Sequence, residues 1–252
     1  MRAIRSTRNR AVIAALALLG LTSAAAVVRG FANGDFDEGL AGWQASISRK
    51  AIGAALAAAE YGIEDFAQGE PMARMDVYVR AGAFEPRLGP GPLAASMEPR
   101  RSGAISLAGL AQDLGDIHGT ILTFEWISAI TGELAGAGRL SYHARLVVER
   151  DDPPVRHEFE LLDGTTGRSR PCGAGMVFDG RPMSRTFYAD LGEAGIHPGD
   201  DIRVAVELRA QAGAVRNCDL ASFSGTMWVD RFALRRTPLN VRQWGSLATS
   251  KP

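Results

Sequence analysis

Apolar and polar residues alternate through stretch after stretch of this chain, with glycine-, proline- and aspartate-rich turns between. That period of two constrains the fold more than any other feature. Met72–Arg80 sets Met75, Val77 and Val79 against Arg74, Asp76, Tyr78 and Arg80. Leu140–Glu149 puts Leu140, Tyr142, Ala144, Leu146 and Val148 on one face, and Ile202–Leu208 does the same with Ile202, Val204, Val206 and Leu208. Successive side chains of an extended strand point to opposite sides, so each such stretch has one face to bury. Further strands are expected at Ala104–Leu107, Gly109–Leu114, Ile121–Ile130, Val155–Leu162, Thr186–Leu191 and Thr226–Leu234, with Asp151–Pro154 turning a hairpin over 140–162. Strands of this kind with little helix are most economically buried as an all-β fold, an antiparallel two-sheet jelly-roll sandwich.

Three stretches break the pattern and are expected as insertions. Residues 49–68 carry Ile52, Leu56, Ala59 and Ile63 at helical spacing, which predicts a short helix or a buried loop there. Residues 82–103 hold Pro86, Pro90, Pro92 and Pro99 among glycines; proline removes ladder donors, so this is a long loop. Residues 163–182 are glycine-rich and irregular.

The ends of the chain and its cysteines speak to compartment. Arg2, Arg5, Arg8 and Arg10 precede the apolar run Ala11–Leu21 and the small residues Thr22–Ala26, the order of a secretory signal cleaved near Ala26. The alternative is an uncleaved anchor, since apolar character continues through Val28; this is the one route to a membrane. Either reading places the domain outside the cytoplasm, in the periplasm or at the surface. Cys172 and Cys218 are then expected as a disulfide. Closing that loop stabilises by roughly 4 kcal/mol in the chain-entropy treatment. Without residues 1–26 the chain holds 28 acidic and 24 basic side chains, a net of −4. A mildly acidic domain has no electrostatic footprint for nucleic acid.

The segment Asn33-Gly34-Asp35-Phe36-Asp37 followed by Gly42-Trp43, and its counterpart Gly225-Thr226-Met227-Trp228-Val229-Asp230 running to Leu234, resemble the opening and closing strands of galactose-binding-like jelly rolls, which include many carbohydrate-binding modules. Gln112 stands in that family's usual glutamine position, and His197-Pro198-Gly199-Asp200 before Ile202 resembles its penultimate-strand turn. The resemblance frames a domain over 31–236, with 1–26 as signal peptide or anchor and 237–252 as a loose tail. It implies a short first strand after the Asn-Gly turn, with Phe36 on one side and Asp35 and Asp37 on the other, and Trp43 in the core.

The resemblance also implies a structural calcium ion where the first and last strands meet. By motif position the ligands are Asp37, where the family has glutamate, and Asp230, with Asp35 as a neighbour; the alternative is that they are turn and surface carboxylates. Calcium takes six to eight oxygen ligands, which is why carboxylates on adjacent strands are the candidates. Sugar binding needs aromatic rings that stack on pyranose faces. The candidates are Trp126, Tyr142, Tyr188 and Trp228, each in an alternating strand where the core is the competing place; Tyr61 and Trp244 stand outside the firm strands.

Catalytic signals are missing from the sequence. There is no Gly-x-Ser-x-Gly elbow, and His118, His143, His157 and His197 form none of the zinc-binding spacings. The expectation is an exported, non-catalytic domain that binds carbohydrate or a cell-envelope glycan. The alternatives are a structural sandwich contacting an envelope protein, and a jelly-roll polysaccharide lyase or glycosidase.

Overall fold

The computed structural model describes residues 30–53, 55–66, 70–82, 101–166, 176–215 and 219–236. The segment expected as an export signal, most of the proline-rich loop, Cys172, Cys218, Trp244 and the tail lie outside the described residues. Ten strands follow in chain order: β1 (Gln44–Ile52), β2 (Leu56–Phe66), β3 (Glu70–Gly82), β4 (Ser102–Leu114), β5 (Ile121–Ala135), β6 (Arg139–Arg150), β7 (Val155–Thr166), β8 (Met176–Asp190), β9 (Ile202–Ala214) and β10 (Leu220–Arg235). They make two five-stranded sheets, β1-β4-β9-β6-β7 and β2-β3-β10-β5-β8, antiparallel in every pair. The chain crosses repeatedly between the sheets, and this is the expected all-β jelly-roll sandwich. Among the described residues no helix is long and apolar enough to cross a membrane.

The alternation read from the sequence is the alternation of burial. Met75, Val77 and Val79 of β3, Leu146 and Val148 of β6, and Val204, Val206 and Leu208 of β9 are all buried between the sheets. Among the described residues of 49–68 strands stand in place of the expected helix or loop. That stretch completes β1 and forms β2, turning at Gly53 with a φ of 70°. Alanines at helical spacing also alternate, and pairing with β3 along the whole of β2 decides the matter. The irregular stretch after 163 likewise extends β7 to Thr166 and opens β8 at Met176.

A second correction concerns the opening motif. Residues 31–42 are a run of turns, not a strand, and the first strand starts at Gln44. Asn33 and Phe36 take left-handed φ values of 53° and 56°, unusual for residues with a Cβ. The Asn33 side chain organises the turns, donating to the Gly39 carbonyl at 2.7 Å and accepting from Glu38 N at 2.9 Å. The conformation drives Phe36 fully into the core against Trp43 and Phe232, at ring-centroid distances of 5.2 and 6.2 Å. Trp43 is in the core as expected, and its indole N–H donates to the Asn33 carbonyl at 3.1 Å.

Gln112 of β4 fastens this coil to the first sheet. Its Oε1 accepts from Ala32 N at 3.1 Å, and its Nε2 donates to the carbonyls of Ala32 and Gly42, each at 3.0 Å. Phe232 N donates to the Gly34 carbonyl at 2.9 Å, fastening the same coil to β10 in the second sheet. A Cβ on Gly34 would stand 2.3 Å from the Phe232 carbonyl oxygen, so only glycine permits this approach. Replacing Gln112 by leucine strands one N–H and two carbonyls in a part-buried position. We expect a loss of about 3 kcal/mol in urea unfolding, and a loss at least as large for Gly34→Ala, which must move backbone.

Candidate functional site

The outward face of the first sheet carries the candidate site. Strand register sets its residues in rows that run across the strands. Asp113, Arg203, Glu149 and Arg156 face one another on β4, β9, β6 and β7. The next row reads Gln44, Ala111, Ala205, Val147 and Glu158 from β1 to β7. The third reads Ser46, Gly109, Glu207, Arg145 and Glu160. The middle of the second row is small or apolar, the first row is charged, and the third is charged from Glu207 to Glu160. The result is a shallow trough, floored by Ala111, Ala205 and Val147 and walled by Arg203, Glu149, Arg156 and Glu207. Adjacent strands lie about 4.8 Å apart, so the floor across β4, β9 and β6 runs roughly 10 Å, with Gln44 and Glu158 at its ends.

Its walls are tied in place by ion pairs. At the β1 end, Arg203 donates to Asp113 at 2.8 Å and to Gln44 at 3.1 Å, and Gln44 Nε2 closes the triangle on Asp113 at 3.1 Å. At the β7 end, Arg156 bonds Glu149 and also Glu158, the latter at 2.9 Å, while Arg145 reaches Glu158 at 2.7 Å. The arginine partnership holds the Glu158 carboxyl below its ordinary range. One row beyond, His143 lies on this face between Leu107's neighbour Arg209 and Asp163. Its pKa is lowered by desolvation first and then by Arg145 and Arg209, so it is not the freely solvated histidine its parity implies. These pairs leave carbonyl and carboxylate lone pairs and guanidinium N–H groups on both walls, the inventory that hydroxyl-rich ligands need.

The aromatic residues expected to bind sugar do not come together. Trp126 is 3% exposed and faces the core beside Val229, which removes it as a ring open to a ligand. Tyr142 also points between the sheets, stacked on Phe223 at 4.6 Å. Trp228 and Tyr188 do reach the surface, on the outward face of the second sheet. The Trp228 indole N–H donates to Glu64 at 2.9 Å, Glu64 accepts from Arg74 at 3.2 Å, and Tyr188 is 45% exposed. Tyr61, at 46%, lies on the rim of the sandwich. Tyr78, not singled out beforehand, shares the Trp228 face; its alternation with Val77 and Val79 was the available signal.

Asp35 and Asp37 are exposed in the opening turns, whereas Asp230 is buried. Its Oδ1 accepts from Arg231 N at 2.7 Å, and its Oδ2 lies 3.6 Å from Arg231 Nε. The Arg231 guanidinium bonds Glu125 at 3.1 Å and Glu70 at 2.6 Å, placing fixed positive charge beside Asp230. Among the described residues no group of three or more His, Cys, Asp or Glu side chains is set to hold a metal ion. Asp35, Asp37 and Asp230 therefore do not form such a group by themselves.

Three comparisons with known proteins bear on this chain. No family model matches it, and no curated protein matches it. Among solved structures it is similar to the family 11 carbohydrate-binding module from Clostridium thermocellum in complex with a β-1,3-1,4-mixed-linked tetrasaccharide, at 9% identity and TM-score 0.32, covering 83% of this chain and 95% of that one. It is similar to TmCBM61 in complex with β-1,4-galactotriose at 12% identity and TM-score 0.31, covering 82% and 97%. A structure described under the promiscuous specificity of carbohydrate-binding modules of the β-sandwich superfamily matches at 14% identity and TM-score 0.34; 80% of this chain is covered but 60% of that chain, less than two-thirds of its length. Likenesses at these TM-scores carry no argument about what this chain binds.

Asp230 generates a pH prediction. Burial, with Glu125 and Glu70 adding to it against Arg231, pushes its carboxyl up to about 6 from an ordinary 3.8. A raised folded-state pKa favours the protonated fold: the stabilisation is complete below about pH 4 and is lost as pH rises through 6. Asp230→Asn keeps the acceptor for Arg231 N–H and removes the charge. In urea unfolding it is expected to be more stable than the parent at pH 7 by on the order of 2 kcal/mol, and nearly equal to it at pH 4.

Proposed function

We propose that this chain is an exported, non-catalytic sandwich that binds a linear glycan along the trough on its first sheet. The observation that carries the reading is the three-row register: Ala111, Ala205 and Val147 lie between the charged row Asp113, Arg203, Glu149 and Arg156 and a row holding Glu207, Arg145 and Glu160, with Gln44 and Glu158 at the two ends of their own row. Sugar rings have apolar C–H faces and a girdle of hydroxyls. A ring lying flat over the floor puts its C–H face on Ala205, the half-buried member of that row, and its hydroxyls toward Arg203, Glu149, Arg156 and Glu207. The floor presents no aromatic plane, so affinity comes from hydrogen bonds distributed along the trough, and several consecutive sugars are needed. Charge-assisted hydrogen bonds contribute about twice what neutral ones do, which suits ion-paired walls to this task.

Export enters the proposal through the arginine-led apolar segment at the N-terminus, and non-catalytic status through the walls themselves. Glu149 is ion-paired to Arg156, and Glu158 is shared by Arg145 and Arg156. The arginine partnership holds the Glu158 carboxyl below its ordinary range, the opposite of what a general acid for glycoside cleavage needs.

The test is affinity electrophoresis of the protein through gels containing soluble β-glucans, galactans, xylans and uronate polymers. Retardation by one of them is expected, and Ala205→Trp, which fills the floor with an outward side chain, is expected to abolish it while leaving the unfolding midpoint within about 0.5 kcal/mol of the parent. Arg203→Ala is expected to weaken retardation about tenfold by loosening the Gln44–Asp113 wall. Retardation that survives Ala205→Trp but is lost in Trp228→Ala moves the binding surface to the second sheet. No retardation on any gel overturns glycan binding for those polymers and leaves an envelope protein as the ligand to be sought.

A further inference from the structure

The side of the sandwich closed by β1 and β2 is unlike the rest of its surface. β1 is the edge strand of the first sheet and β2 the edge strand of the second, and the two lie against each other on one flank. Eight large apolar side chains stand out as exposed among the described residues, and five of them are here: Ile47, Ile52, Leu56, Tyr61 and Ile63. Ile47, Tyr61 and Ile63 have the parity of core residues but lie where the two sheets part. Among the described residues neither strand has a ladder partner along its outer edge, although the Ala58 carbonyl of β2 accepts from the Ser106 hydroxyl of β4; an edge of this kind invites pairing with another chain.

Charge on this flank is divided by strand. β1 carries Arg49 and Lys50, both exposed, and no acid. β2 carries Glu60, Glu64 and Asp65 and no base. Parity is matched as well. Lys50 pairs with Ile105 on the outward face of the first sheet, and Glu60 pairs with Asp76 on the outward face of the second. Ile47 points inward in its sheet, as Tyr61 and Ile63 do in theirs.

We propose that this flank is a two-fold interface between two copies of the chain, in which β1 of each copy pairs antiparallel with β2 of the other. The chain turns directly from β1 into β2, so the two strands run in opposite directions on the flank. A two-fold axis parallel to the strands therefore sets β1 beside the antiparallel β2 of the second copy with outward faces continuous. Lys50 then meets Glu60 of the second copy on the solvent side, twice by symmetry, while Ile47 packs on Tyr61 and Ile63 of the second copy on the inner side. The other two-fold arrangement sets basic β1 on basic β1 and acidic β2 on acidic β2, and like charges across an interface oppose association. The proposal is independent of glycan binding.

Sedimentation equilibrium on protein purified after expression of the full 252-residue chain tests it. A dimer is expected at micromolar concentration. Lys50→Glu and Glu60→Lys are each expected to raise the dimer dissociation constant about tenfold, and the double variant to restore it, since each symmetric contact then pairs Glu with Lys in the reverse sense. Tyr61→Glu is expected to give monomer with an unfolding transition like the parent's. A parent that stays monomeric at roughly a hundred micromolar, well above the range of a specific dimer, overturns the proposal. So does a dimer in which the double variant is no tighter than either single one.

Discussion

The coil at 31–43 is held between Gln112 on one sheet and the Phe232 backbone on the other, and the rest of the sandwich depends on that double attachment. Two facing sheets are joined elsewhere mostly by non-directional packing, which tolerates sliding. Here directional bonds from one amide side chain and one peptide N–H fix the coil, and so the sheets, relative to each other. Around the coil, Phe31, Phe36, Trp43, Phe124 and Phe232 pack ring on ring, with Phe124 and Phe232 stacked at 4.6 Å. Each buried aromatic contributes about 2–3 kcal/mol of burial, which offsets the left-handed backbone that Asn33 and Phe36 adopt. The ring contacts then continue through Phe187 to Phe159 on the far side of the sandwich.

With the sheets so fixed, what they display outward follows from register. The two outward faces differ in chemistry: the first sheet has a small-residue floor between charged walls, and the second has Trp228, Tyr78 and Tyr188 set among Glu64, Arg74, Asp76 and Thr226. On the second face the polar groups are spent on one another, Thr226 donating to Asp76 at 2.6 Å and Arg74 lying 2.7 Å from it. On the first the ion pairs stand along the trough's rims, above a floor in which Ala205 is half-buried and Ala111 and Val147 are buried. That contrast is what favours the trough over the aromatic face in the proposed reading.

Most strands were legible because alternation is local: a residue's parity needs only its neighbours in the chain. Met72–Arg80, Leu140–Glu149 and Ile202–Leu208 each fall inside an observed strand. The misreadings share a cause. Ala51–Ala59 fits a helix by composition, and β2 exists because β3 lies beside it to accept its hydrogen bonds. Asp35–Asp37 alternates like a strand, yet the Asn33 side chain and the Phe36 burial bend it into turns. Trp126 and Trp228 both sit in alternating strands, and only knowing which face is covered separates a core ring from a surface one.

The sequence by itself determined the class of fold, the parity of most side chains and the burial of Trp43, because those follow from period and a motif read along the chain. Only the tertiary structure decided the trough and the flank. Arg203 and Glu149 are 54 residues apart in sequence and become neighbours through the β6–β9 register, and Ala111, Ala205 and Val147 become one floor the same way. Whether Ile47 and Tyr61 are core or surface depends on where the two sheets part. Such facts are set by pairing between distant strands, and a one-dimensional pattern carries the identity of each row's members but not which of them stand side by side.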